Sequence, residues 1–309
     1  MDIINTVLPI FLVIGAGRVL GAVGFIGRET NASLSRLIFY VAAPVLLFRS
    51  AAAAPVSETV DPQALLVMLG VTLFVAFSVY GALARVRPSR RGVLAQGSFR
   101  ANMVFVGLPV VQFAYGDEVL GSAAVVIGFM VIIYNFVSVL VLTLPRQDGG
   151  GAARGAFRRS AVEIVRNPLI IGCVLGIAFS LLDLSLPIAI DRSFELVGRI
   201  AMPLALLSVG AGLDVGKLRA DLLPAALVSS IKLIVYPALI YAGLLSLGMS
   251  GPELQCPVII MGAPAAVVSA IMAREMDGDE QLASAIVIGT TLGSVLSLSA
   301  WLAFFSAMS

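Results

Sequence analysis

Histidine is absent from the 309 residues, and the chain holds only two cysteines and one tryptophan. Without histidine it lacks the commonest metal ligand and the side chain that titrates near neutral pH. That argues against histidine-dependent membrane enzymes, and no paired catalytic groups stand out, so no enzyme is expected. Cys173 and Cys256 lie far apart in apolar segments and form no Cys-x-x-Cys. Both read as small core residues, with no metal cluster to serve. No Gly-x-x-x-x-Gly-Lys-Ser/Thr occurs, so primary transport would need a partner. Charge is scarce as well: 12% of residues are Asp, Glu, Lys or Arg, against about 25% in an average soluble domain. No cofactor and no nucleic acid are implied; the arginine run before the fourth apolar stretch reads as anchoring to the membrane surface.

Apolar residues fill the space that charge leaves. They make up 59% of the chain, and the mean hydropathy is +1.03. A spanning helix needs about 20 such residues. On that rule the spans fall at 3–22, 33–54, 64–84, 94–115, 121–144, 167–187, 195–214, 222–248, 257–275 and 283–308. The expected fold is an all-α polytopic membrane protein with ten transmembrane helices. The N-terminus lacks a basic n-region, and the stretch from Ile3 to Phe25 is too long for a signal peptide, so it reads as a retained first span.

Lysine and arginine in the loops give the orientation. Arg85, Arg87, Arg90, Arg91 and Arg100 follow span three; Arg146, Arg154, Arg158, Arg159 and Arg166 follow span five. Arg28 and Arg36 follow span one, and Lys217 and Arg219 follow span seven. The opposite side carries only Arg49, Arg192 and Arg199, together with Glu58, Asp61, Asp117, Glu118, Asp183, Asp191 and Glu253. Both termini are therefore expected on the non-cytoplasmic side. The loop after span nine, with Asp277, Asp279 and Glu280 and only Arg274 in support, departs from the pattern, but acidic residues weigh little in this rule.

A glycine-rich linker, 146–166, separates a first half, 1–145, from a second, 167–309. Gly116-Asp117-Glu118-Val119-Leu120-Gly121-Ser122-Ala123 in the first half matches Gly278-Asp279-Glu280-Gln281-Leu282-Ala283-Ser284-Ala285 in the second at six of eight positions. Pro44 has a counterpart in Pro203. Five spans per half is an odd number, so the second half enters the bilayer upside down, as an inverted repeat.

Spans four and nine each carry Gly-x-Pro where a membrane helix should be continuous: Gly107-Leu108-Pro109 and Gly262-Ala263-Pro264. Proline deletes a backbone donor and crowds the preceding turn. Backbone groups freed at membrane depth must find protein, water or ligand. Half-helix N-termini offer free amides and partial positive charge, which suits an anion. The alternative is a pair of ordinary proline kinks. Asn102, two turns before Pro109, can hold a carboxylate or serve as interhelical glue. Gln112 and Ser269 follow the two breaks as further candidates. Lys232 lies well inside span eight, where a charge is a functional hypothesis by default. It suits charge compensation, anion binding or coupling, and has no clear acidic partner in the sequence.

At these residues the chain resembles the auxin efflux carrier family, which includes bacterial permeases and plant PIN-type carriers. The likeness rests on Asn102, Gly107-Leu108-Pro109 and Tyr115-Gly116 around span four. It continues in Lys232-Leu233-Ile234-Val235-Tyr236-Pro237, then Ala263-Pro264, Ala273-Arg274-Glu275 and Ser284-Ala285, and covers essentially the whole chain in order. The resemblance implies two inverted five-helix repeats with broken helices four and nine crossing, as in bile-acid symporters and sodium/proton antiporters. It implies a scaffold of spans one, two, six and seven, through which such proteins dimerise, and a moving unit of spans three to five and eight to ten. It also implies an organic-anion substrate, auxin-like or a dicarboxylate such as malate or malonate. The short linker departs from the long cytoplasmic loop of some plant carriers and fits a compact permease of a bacterial inner membrane. Proton coupling is the family habit. A sodium-coupled symporter of bile-acid type and a membrane sensor without flux are the alternatives.

Overall fold

The computed structural model describes residues 3–53, 61–144, 165–213 and 221–308. All but the last two residues of the expected linker lie outside these ranges, as do Glu58, Arg146, Arg154, Arg158, Arg159, Lys217 and Arg219. In chain order the helices are α1 (Ile3–Ala22), α2 (Arg28–Leu37), α3 (Ala43–Ala53), α4 (Pro62–Ala82), α5 (Pro88–Phe99), α6 (Leu108–Tyr115), α7 (Leu120–Thr143) and α8 (Pro168–Leu181). They continue as α9 (Ile188–Arg199), α10 (Ala201–Ala211), α11 (Leu222–Ser230), α12 (Tyr236–Ser246), α13 (Gly251–Gly262), α14 (Val268–Glu275) and α15 (Glu280–Met308). Among the described residues there is no strand beyond one isolated bridge. Six helical stretches are long and apolar enough to cross a membrane: Arg28–Ala53, Pro62–Ala82, Asp117–Thr143, Ile188–Ala211, Leu222–Ser246 and Glu280–Met308. Leu8–Ala22, Met103–Tyr115 and Pro168–Leu181 are shorter apolar helices. The chain is an integral membrane protein.

Three turns of π-helix interrupt the α pattern, at Ile38–Ala42, Met103–Gly107 and Ile231–Val235. Each ends two residues before a proline: Pro44, Pro109 and Pro237. A proline in a helix has no N–H to give and its ring pushes on the carbonyl four residues back. The wider π turn takes up one extra residue and relieves that pressure. This corrects the expected position of the first break. Gly107-Leu108-Pro109 lies within continuous helical structure, and the helix parts earlier, between Phe99 and Met103. The second break falls where the sequence places it: α13 ends at Gly262 and α14 begins at Val268.

The chain divides into two compact units. Unit 1 comprises Met1–Leu65, Met103–Phe129 and Val165–Leu213. Inside it, helices close to backbone distance. A β-carbon at Gly17 or Gly210 would overlap the backbone of Leu207 or Ile14, on the α1–α10 contact. One at Gly172 or Gly176 would overlap that of Pro44 or Phe48, on the α8–α3 contact. Small residues at four-residue spacing allow this approach, which is how membrane helices gain dispersion contacts without a hydrophobic driving force. Arg49 bridges α3 to α9 by a two-point bond to Asp191. Unit 2 comprises Leu66–Asn102, Met130–Ile164 and Asp214–Ser309. One apolar cluster in it draws Val93 and Leu94 of α5, Ala225 and Val228 of α11, and Leu282, Ala285 and Ile286 of α15 together. At one end of this unit Arg90 reaches both Asp221 and Asp279.

Candidate functional site

The two helix interruptions in unit 2 are bonded to each other. Ala101 and Ala265 form an antiparallel bridge. The Asn102 amide donates to the Pro264 carbonyl at 2.7 Å, and the Ala266 amide donates to the Arg100 carbonyl at 3.1 Å. These two bonds give the crossing a local two-fold symmetry, as any antiparallel pair has. Backbone freed by each break is thus partly satisfied by the other, which is what a low-dielectric surround demands. The neighbouring Ala265 amide is taken by the Thr290 hydroxyl at 3.0 Å.

Two cations flank the bridge. Lys232 sits in the π turn that precedes Pro237, fully buried. Its ammonium donates to the Met261 carbonyl at 2.5 Å and lies 5.0 Å from the centre of the Tyr236 ring. Met261 is the next-to-last residue of α13, and a helix C-terminus carries roughly half a negative charge. Arg100 stands in the first break itself, 6% exposed. Its guanidinium donates to Asn135 Oδ1 at 2.7 Å and Ser138 Oγ at 3.0 Å, and its Nε has no partner. The sequence reading counted Arg100 among the loop arginines, and that is corrected here. Its side chain turns inward because α7 presents two neutral acceptors one turn apart. Among the described residues Arg100 and Lys232 are the buried charged side chains, and no carboxylate is buried with them.

The remaining candidates divide between the units. Asn102, Lys232, Gly262, Ala263, Pro264 and Ser269 belong to unit 2; Gly107, Leu108, Pro109 and Gln112 belong to unit 1. Gly262 lets Pro237 pack close, since a β-carbon there would lie 3.3 Å from the proline ring. Ser269 is buried in the first turn of α14 and its hydroxyl has no partner. Gln112 donates to Asp117 Oδ1 at 2.7 Å and lines a cavity of about 1070 Å³ in unit 1, with Arg49, Asp191 and Glu195 also in its wall. Sequence reasoning missed Asn135, Ser138 and Tyr134. The signal was available: they interrupt an otherwise apolar stretch, Leu120–Thr143, at helical spacing.

Comparison with known proteins gives the family. A family model described as membrane transport protein matches residues 2–302. An uncharacterized transporter of Methanothermobacter thermautotrophicus is 28% identical, covering 96% of each chain. A protein of Rhizobium meliloti described as a candidate malonate transporter is 25% identical over 96% of this chain and 94% of its own. The uncharacterized transporter YfdV of Escherichia coli is 22% identical over 97% of this chain and 96% of its own.

Proposed function

The chain belongs to the membrane transport protein family, and on that footing we propose that it is a secondary transporter of small organic anions. The observation that carries the reading is the pair of buried cations beside the bridge, Arg100 and Lys232, with no buried carboxylate among the described residues. Taking an ion out of water costs several kcal/mol even after relaxation. The α13 terminus offsets part of that for Lys232, while neutral groups alone hold Arg100. A solute bringing negative charge completes the balance. The malonate in the name of the Rhizobium meliloti relative points to short dicarboxylates as the first class to try.

In this reading the chain has ten spans in two inverted repeats, with the breaks as equivalent features of each. The local two-fold at Ala101 and Ala265 and the paired glycine contacts of α1 and α8 support that arrangement. Spans three to five and eight to ten, which include both cations and the bridge, travel with the anion in an elevator-type cycle, and spans one, two, six and seven serve as the scaffold of a homodimer. Lys232 fills the role of a fixed cation at the α13 terminus, so the ammonium stands where a coupling cation would bind. The same reading puts the protein in an inner membrane with both termini on the non-cytoplasmic side, on the strength of the loop arginines.

The test is a thermal-shift screen of purified protein against malonate, malate and indole-3-acetate, then uptake into proteoliposomes under imposed proton and sodium gradients. Binding stabilises the folded state by an amount that grows with the logarithm of ligand over Kd, and the melting temperature rises accordingly. A shift with at least one carboxylate, followed by its saturable uptake, is expected. No shift and no uptake with all three would overturn the reading.

A further inference from the structure

A chain of hydroxyl groups runs through unit 2 to the first break. Thr72 of α4 donates its proton to the Met68 carbonyl at 2.7 Å. The same hydroxyl lies 2.8 Å from that of Tyr236, which lies 3.0 Å from that of Tyr134. Thr72 and both tyrosines are buried. A hydroxyl has one proton and two acceptor lone pairs. Thr72 has spent its proton on Met68, so Tyr236 donates to Thr72 and Tyr134 donates to Tyr236. The direction of the chain is therefore set at its far end. The Tyr134 oxygen is left with lone pairs and no proton to give, beside the Ala101 backbone and the Arg100 charge. That is the polarity a positive guanidinium and a backbone N–H require. The Tyr134 ring also packs on Phe99, the last residue of α5, at 5.7 Å between centroids. Asn135 and Ser138, which hold Arg100, follow Tyr134 on the same helix.

We infer that Thr72, Tyr236 and Tyr134 are positioning residues, a hydroxyl relay that holds Arg100 and the first break in their anion-receiving arrangement. None of the three needs to touch the solute. The inference rests on the anion-transport reading and adds a dependence that reading lacks: Thr72, on α4, governs affinity at the bridge. Thr72→Val removes the acceptor that orders the chain. Tyr236 then donates to Tyr134, and the Tyr134 proton turns toward the guanidinium.

The test measures initial uptake against concentration for whichever of malonate, malate and indole-3-acetate the wild type takes up fastest. Thr72→Val and Tyr134→Phe are each expected to raise KM about tenfold, the scale of one hydrogen bond to a charged group, with maximal rate changed less. Thr72→Ser restores the wild-type KM. The double variant Thr72→Val/Tyr134→Phe is no worse than the weaker single variant, because both cut one chain. A merely structural role would lower the melting temperature and leave KM alone. Wild-type KM in Thr72→Val, alongside impaired uptake in an Arg100→Gln control, would overturn the relay and leave the anion reading standing. Normal uptake by Arg100→Gln, or no uptake of any of the three acids by the wild type, would overturn both.

Discussion

The ammonium of Lys232 is bonded to the carbonyl oxygen of Met261, so a side chain from the π turn before Pro237 caps the helix that ends at the second break. Two opposing costs decide what its loss does. Lys232→Met leaves one carbonyl unsatisfied, which costs about 1–3 kcal/mol. It also removes a buried ion whose desolvation costs several kcal/mol. The variant is expected to melt no lower than wild type while its uptake falls at least tenfold, an estimate from the loss of one charge contact. Melting curves and proteoliposome uptake on the same preparation check this; normal uptake would make the ammonium a purely structural cap.

Arg100→Lys keeps the charge and loses the fork. A guanidinium reaches Asn135 and Ser138 together, whereas an ammonium is a point charge on a flexible stem. Apparent affinity is expected to drop about tenfold, one bond's worth, and Arg100→Gln to abolish uptake. Concentration-dependent initial rates separate the two.

Pro109→Ala returns a backbone donor to the helix that follows the first break. The π turn at Met103–Gly107 then loses its cause. Regular α geometry drops the extra residue and turns the preceding segment by about 100°. Reduced uptake is expected, with faster amide hydrogen exchange at Asn102, whose N–H the bridge now protects. Unchanged exchange would show that the π turn persists without its proline.

Two glycines of α1 give an internally controlled packing test. Gly15 has nothing within 4 Å of an added β-carbon, while Gly17 faces the Leu207 backbone. Gly15→Ala is expected to leave the melting temperature level or raise it slightly, by better helix propensity. Gly17→Ala forces α1 from α10 and should cost about 1–3 kcal/mol, a drop of several degrees in a thermal melt.

Much of this was legible in the residues. Hydropathy located the six long apolar helical stretches, and Ala263-Pro264 marked the second interruption because that proline lies in the non-helical stretch itself. Pro109 misled because a π turn absorbed its missing donor, and a residue pattern cannot tell a kink from a π turn. Arg100 misled for another reason: counting arginines near span ends treats all of them as facing water. Only Asn135 and Ser138, reached from α7, explain why this one turns in. The repeated Gly-Asp-Glu shows the same limit. Asp279 accepts from the Leu282 amide and opens α15, whereas Asp117 accepts from the Gln112 side chain. Like letters found different partners.

The joint at Ala101 and Ala265 is made by main-chain atoms, and only its two donors, the amides of Asn102 and Ala266, bar proline; Pro264 itself supplies one of the carbonyls. No side-chain identity is written into it. Selection for a new cargo can therefore replace the residues around the joint wholesale, in nature or in a laboratory library, while the mechanical core stays as it is.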